Sequence, residues 1–296
     1  MSHSLITVLL NPAAGRADER KAEIAERFLA VGFEALIVEL RRGQDPAEVA
    51  RTASTRTSIV VAAGGDGTVS RVADGLVGTP AVLGVLPLGT LNHFAKGLRI
   101  PLDLEKAVAT IATPRVGHVD VGRVNERVFI NNSSIGIYPS IVEAREELRR
   151  LGYRKWTAFA LATFRVLRRY RGVFVRIEVD GRQSVWRTPF VFVGNNEYEV
   201  DGIRLGARAR LDGGRLFTYL APRVRTRELP LLLARALLGR VRQSGAFEVV
   251  SAPELWIDTP NAKRVRVAID GEIVTMTTPL HYRTRPGALR VLLPPA

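Results

Sequence analysis

The chain has 296 residues, 46% of them hydrophobic, enough for one large or two modest domains with a substantial core. It contains no cysteine, which excludes disulfides and thiolate metal sites and points to a reducing, cytoplasmic setting. A formal net charge of +14 attracts polyanions, whether nucleic acid, an anionic membrane surface or a phosphorylated substrate, and does not choose among them.

The opening MSHSLITVLLNP lacks a basic leader and a cleavage site, so it reads as a first strand and no signal peptide is expected. Leu5 to Leu10, Ala35 to Leu40, Ile59 to Ala63 and Ala81 to Leu86 are strand-like. Between them Ala17 to Ala30, Pro46 to Ser54 and Val69 to Val77 carry apolar residues at helical spacing. That alternation predicts an α/β fold, an open and mainly parallel sheet with helices on both faces.

After about Val116 the rhythm changes. Val128 to Asn131, Val173 to Val179, Val185 to Val193, Leu216 to Ala221, Glu248 to Val250, Leu255 to Asp258 and Val265 to Ile269 read as unevenly spaced strands of a predominantly antiparallel unit, with a boundary near Asp120. Two helical insertions, Ala158 to Tyr170 and Arg227 to Val241, mix large apolar residues with arginines. The longest nearly apolar window, Leu229 to Leu238, is broken by Arg235 and falls short of the roughly 18 to 20 residues that cross a bilayer.

The stretch SIVVAAGGDGTVSRVADGL runs from a buried strand through Gly64, Gly65, Asp66, Gly67 and Thr68 into a helix. Glycines admit a bulky anion without a Cβ in its way, and free amides at the helix start point at it. Asp66 would repel phosphate oxygens unless a divalent cation or a proton to be transferred lies between, so the loop hints at magnesium. The bland reading is a tight turn with Asp66 or Thr68 as helix cap. Two more turns, Asn11-Pro12-Ala13-Ala14-Gly15-Arg16 and Pro87-Leu88-Gly89-Thr90-Leu91-Asn92, also follow buried strands. Three loops at one carboxyl edge form a crevice of the kind in which open α/β sheets bind ligands.

At this point the residues resemble a family. Asn11 to Arg16 resembles the NPxxG turn, Gly64 to Thr68 the GGDGT motif, and Gly89 to Ala95 the GTxNDFA motif of diacylglycerol kinases and sphingosine kinases. Asn131 to Gly136, Val193 to Asn196, Leu211-Asp212-Gly213 and Asp270-Gly271-Glu272 resemble later landmarks of the same family, in the same order. The resemblance implies an ATP- and magnesium-dependent lipid kinase. Its first domain, 1–120, would be completed by a C-terminal strand within 283–296, and residues 121–282 would form an antiparallel, β-sandwich-like lipid-binding domain. Asn11, Pro12, Ala13, Ala14 and Gly15, together with Gly64, Gly65, Asp66, Gly67, Thr68, Val69, Ser70 and Arg71, would contact nucleotide. Thr90 would contact phosphate, Asn92 would stand in the same site, and Arg41 is added by position at the end of the second strand.

By the same resemblance Asp270 is the favoured base for the acceptor hydroxyl, with Glu272 supporting and Asp66 a further candidate. Read alone, Asp-Gly between strand-like runs is a hairpin turn. Asp212, with the carbonyls of Ala209 and Gly214, matches a structural magnesium set, or else is a loop aspartate in a turn. One departure is His93 where bacterial diacylglycerol kinases have aspartate. Imidazole cannot replace a carboxylate as an anionic partner, though it donates to phosphate.

The helix around Trp156 to Arg171 sets Trp156, Phe159 and Phe164 beside Arg165, Arg168 and Arg169, which suits either an anionic membrane at the inner face of the cell or a core helix with a basic rim. No ribonucleoprotein motif is found, and a specific nucleic-acid partner is not expected. An NAD kinase-like enzyme and a catalytically silent anionic-ligand or nucleic-acid-binding protein are the competing functions. The oligomeric state stays open, a homodimer included, and so does the lipid acceptor.

Overall fold

Strands and helices alternate strictly through the first third of the computed structural model, which describes the chain except residues 1–3, 13–16, 114, 200–207, 209, 223, 226–227, 232–246 and 296. The order is β1 (Ser4–Leu10), α1 (Ala17–Ala30), β2 (Phe33–Glu39), α2 (Pro46–Ala53), β3 (Ile59–Gly64), α3 (Asp66–Leu76), β4 (Val82–Pro87), α4 (His93–Gly97) and α5 (Leu104–Ala112). Local chemistry sets these starts. Pro46 opens α2 while Asp45 accepts from the Ala47 amide at 3.0 Å, and Asp103 accepts from the Lys106 amide ahead of α5 at 3.0 Å. Strands β3 and β4 are near-continuous apolar runs because helices cover both faces of the sheet, which pairs β2, β1, β3 and β4 in parallel.

The rest comprises β5 (Arg115–Val124), β6 (Arg127–Phe129), β7 (Asn132–Gly136), α6 (Ile137–Arg150), α7 (Lys155–Arg169), β8 (Val173–Val179), β9 (Arg182–Thr188), β10 (Phe190–Asn195), β11 (Leu216–Leu220), β12 (Glu248–Ala252), β13 (Glu254–Asp258), β14 (Arg264–Ile269), β15 (Glu272–Thr277) and β16 (Leu280–Leu293). An antiparallel sheet, ordered β12-β11-β10-β7-β14-β15, faces β8, β13 and the first part of β16. Val191, Val193, Ile135 and Val267 interlock there with Val175, Ile177, Leu255, Ile257 and Tyr282 as one buried core. The fold is thus a mainly parallel α/β unit joined to an antiparallel sandwich.

Strand β16 joins the two. Its first residues pair antiparallel with β13, and its later residues run parallel to β4 at Val291 and antiparallel to β5, with a bulge between Arg285 and Leu289. Asp120 therefore lies inside β5, so the chain crosses between the units along paired strands rather than through a linker. The single strand expected at Val185 to Val193 is two, β9 and β10, which belong to different sheets. They part at Pro189, which has no amide to donate. The insertion expected at Arg227 to Val241 lies largely outside the described residues.

Helix α7 buries Ala158 and Ala162 completely. It leaves Trp156 77% and Phe164 59% exposed, with Phe159 and Leu161 exposed as well. The core-helix reading therefore holds only for its small-residue face. No helix among the described residues is long and apolar enough to cross a membrane.

Candidate active site

At the carboxyl edge of the parallel sheet the three turns are bonded to one another. Asn11 donates from its amide to the Ala63 carbonyl at 3.0 Å and from Nδ2 to the Thr68 hydroxyl at 2.8 Å, so the first turn and the glycine-rich loop form one unit. The second and third loops touch backbone to backbone: a Cβ on Gly89 would come within 2.5 Å of the Gly65 Cα. Only a residue without a side chain fits there.

Asn92 completes the lattice. It is buried and left-handed at φ +50, accepts from the Gly89 amide at 3.1 Å, and donates to the carbonyls of Gly89 and Pro87 at 2.9 and 3.2 Å. Its side chain braces the third loop. Asn92→Ala should lower unfolding stability by about 1–3 kcal/mol, because it strands the Gly89 amide and the Pro87 carbonyl. Urea denaturation measures this, and Asn92→Gly should cost less than alanine because glycine accepts the positive φ.

Helix α3 begins directly at Asp66, capped by the extended Gly65 without a side-chain bond. By helix geometry the amides of its first turn have no intrahelical acceptor and carry the positive end of the helix dipole, with Gly67 exposed at the mouth. Asp66 accepts from the Phe94 amide at 3.1 Å through one oxygen. Its other oxygen has no hydrogen bond among the described residues. His93 and Thr90 are exposed at the same edge, as is the Arg41 side chain at the end of β2.

The rest of α3 turns away from this mouth. Val69 is core. Arg71 is held by both oxygens of Asp45, at 2.6 and 2.7 Å, and by Asp74 at 2.5 Å. Burial works against the Asp45 charge, but the Ala47 amide and Arg71 hold its carboxyl below the usual range, whereas burial keeps Asp74 above it. Val69, expected at the nucleotide, packs in the core, and Arg71, also expected there, ties α3 to α2 through Asp45. Ala13, Ala14 and Gly15 lie outside the described residues.

Ser70 points instead to Asp270. Its hydroxyl donates to Asp270 Oδ2 at 2.5 Å, although 200 residues separate the two. The same carboxylate accepts from the amides of Ile130 at 2.8 Å and of Asn131 and Asn132 at 2.9 Å each. Burial pushes the Asp270 carboxyl above the ordinary carboxylate range, and the hydroxyl and three amides pull it back only in part. Asp270 and Gly271 both have positive φ, +46 and +90, as a two-residue β14–β15 hairpin requires. The hairpin reading holds, and the turn carries a carboxylate that is bonded to α3 through Ser70. Glu272, on the strand after the turn, is exposed and paired with Arg127 at 2.9 Å.

Two residues that the motifs did not flag hold this arrangement together. Arg208 is buried and donates to the Ile130 carbonyl at 2.7 Å and to Asn131 Oδ1 at 2.6 Å, fixing the segment that grips Asp270. Asp120 is buried in β5 and accepts from the amides of Gly214 at 2.6 Å and Gly287 at 2.9 Å. An acid amid the alternating apolar residues of VGHVDVGRV was the available signal.

Asp212, by contrast, is exposed and turned to Arg210 at 2.9 Å. Ala209 lies outside the described residues, and Gly214 is engaged through its amide by Asp120. Among the described residues no three His, Asp or Glu side chains gather as a metal-binding group.

Comparison with known proteins identifies the family. A family model for the diacylglycerol kinase catalytic domain matches residues 5–124, and one for the YegS C-terminal NAD kinase beta sandwich-like domain matches residues 134–293. A Pseudomonas syringae pv. tomato protein named "Probable lipid kinase YegS-like" is 31% identical over 242 residues, covering 79% of this chain and 75% of its own. The chain belongs to the diacylglycerol kinase and YegS-type lipid kinase family. It is a kinase of that type. A Staphylococcus saprophyticus diacylglycerol kinase is 26% identical over 238 residues, covering 78% of this chain and 77% of its own. In fold, the chain matches a crystal structure of a Bacillus anthracis diacylglycerol kinase with TM-score 0.72 and 19% identity, covering 99% and 97% of the two chains.

Proposed function

We propose that this kinase transfers the γ-phosphoryl group of ATP, with Mg2+, to a hydroxyl of diacylglycerol or a related lipid. One observation carries the reading: the Asp270 carboxylate, from the sandwich, is bonded to Ser70 in the helix that the glycine-rich loop opens. An anion seated on the first-turn amides of α3 would have a carboxylate one side chain away, on the far side of the cleft.

In this mechanism the amides of Asp66, Gly67 and Thr68 hold the phosphates, and Asn11 keeps Thr68 in place. The unengaged oxygen of Asp66 suits a hydrated divalent cation. A cation held there would supply screening of the charge that develops on the phosphates. Asp270 takes the proton of the acceptor hydroxyl. All four of its lone-pair positions are occupied, three by main-chain amides that cannot move aside, so the hydroxyl must displace Ser70 or hand its proton through it. Phe192, Tyr198 and Tyr219 stack edge to face, and Tyr198 reaches Asn132 at 3.5 Å. They offer the acceptor an apolar wall next to the base.

The acceptor's home is a bilayer, and α7 would rest on an anionic membrane surface through Trp156, Phe159 and Phe164, with Arg165, Arg168 and Arg169 beside them. Incubation with radiolabelled ATP and a total lipid extract should label a lipid in a Mg2+-dependent manner. Labelling of NAD in place of any lipid, or none at all from folded protein, would overturn the reading.

A further inference from the structure

At the far end of α7 lies a basic feature that phosphoryl transfer does not use. Where α7 gives way to β8 and β9 turns into β10, Arg168, Tyr170, Arg171, Arg187 and Arg225 line a cavity of about 540 Å3. That volume suits a small ligand. Among the described residues no acidic side chain lines it. None of the four arginines has an ion-pair partner among the described residues, and Glu228 accepts from the Arg225 main-chain amide, not from its guanidinium.

Four like charges around one cavity repel each other, and an anion relieves that repulsion. Two of the guanidiniums are fixed in advance. Arg187 donates to the Arg171 carbonyl at 3.3 and 3.1 Å and lies over the Phe174 ring at 5.5 Å, while Arg168 lies over Phe164 at 5.4 Å. Side chains already held in place lose less freedom on binding. The Tyr170 hydroxyl has no hydrogen bond among the described residues, and burial raises it to about 12, so it remains a donor at physiological pH. Guanidinium forks and a phenol donor match the oxygens of a phosphate.

The neighbourhood identifies the source of that phosphate. Phe164, one helical turn before Arg168, is 59% exposed and shares its face, on a helix whose other aromatic residues are also exposed. We propose that this cavity binds the phosphate of an anionic phospholipid headgroup and thereby seats α7 on the membrane. The proposal deepens the lipid-kinase reading, which supplies the reason for a membrane, but it concerns a different site and is tested without turnover.

The full chain is sedimented with phosphatidylcholine vesicles containing phosphatidylglycerol, and with vesicles made equally negative by oleate. Binding should be tighter to phosphatidylglycerol than to oleate. Arg187→Gln with Arg225→Gln should weaken the phosphatidylglycerol binding roughly tenfold, the worth of a charge-assisted hydrogen bond or more. Arg182→Gln with Arg264→Gln, the same loss of charge at exposed positions elsewhere, should change it less than about twofold. Arg225→Gln alone, at a guanidinium with no partner among the described residues, guards against misfolding and should show part of the loss. Equal losses in the two double variants, or equal binding to both vesicles, would mean diffuse attraction and overturn the proposal. So would inorganic phosphate raising the Tm of the wild type but not of the Arg187/Arg225 variant while vesicle binding stays unchanged, which would mark a soluble ligand. A failed kinase assay with the vesicle pattern intact would leave this site standing.

Discussion

Asp270→Asn is expected to lower the rate of phosphoryl transfer roughly 100- to 10,000-fold, the usual span for removing a general base. The substitution keeps the shape and removes the charge. Asparagine can accept from the Asn131 and Asn132 amides through its single oxygen, and Ser70 can rotate to accept from the new NH2 group. The Ile130 amide cannot rotate and is left facing a donor, which should cost about 1–3 kcal/mol of folding stability. A denaturation curve alongside the kinetics separates the two effects. Full activity in folded Asp270→Asn would remove Asp270 from the chemistry.

Ser70→Ala divides the remaining possibilities. A hydroxyl that displaces Ser70 should react in this variant within a few-fold of the wild-type rate, whereas one that passes its proton through Ser70 should lose nearly as much as Asp270→Asn. The pH profile gives an independent check. Burial raises the Asp270 carboxyl, so kcat/KM should fall as pH drops through a value above the ordinary carboxylate range. The sign for stability is opposite: a carboxyl raised on folding contributes stability that is fully present below its unfolded pKa and is lost as pH rises through the folded one.

Local pattern carried the first half of the fold. Ala17–Ala30 follows directly from helical spacing, and β3 and β4 from apolar runs that only a doubly covered sheet explains. What local pattern cannot carry is a bond between distant residues. Asn11 meets Thr68 across 57 positions and Ser70 meets Asp270 across 200, so the sequence could place these residues near one another but not name the bonds between them. Arg71 shows the converse. The family motif runs on to it, but no motif announces that Asp45 and Asp74 compensate its charge when the helices pack. The run from Val185 to Val193 was misread because an apolar stretch does not say which sheet each half joins. Pro189 was the clue. Helix α6 was missed because its polar stretch from Glu143 to Arg150 carries few apolar residues to reveal a period.

Gly89 and Gly67 test whether the crevice is a nucleotide site from two opposite directions. A methyl on Gly89 would sit 2.5 Å from the Gly65 Cα and 2.8 Å from Asn92 Oδ1, and neither neighbour is a flexible tip that could swing away. Gly89→Ala should therefore cost about 1–3 kcal/mol in stability through overpacking. It should also lower kcat/KM for ATP by about 100-fold, since an ångström of loop displacement spoils alignment. Gly67→Ala differs in kind. Its methyl would meet nothing within 4 Å, and α3 favours alanine there, so the fold should be unharmed or steadied by up to about 1 kcal/mol. That open space is where phosphate oxygens would lie against the first-turn amides, and filling it should raise KM for ATP about tenfold, equivalent to roughly 1.4 kcal/mol. Isothermal titration with a non-hydrolysable ATP analogue and a thermal melt read both quantities on the same samples. A Gly67→Ala protein that binds the analogue as tightly as the wild type would mean that the phosphates do not rest on α3. The crevice would then have to hold them by its other loops, with Asp66 free of any cation they bring.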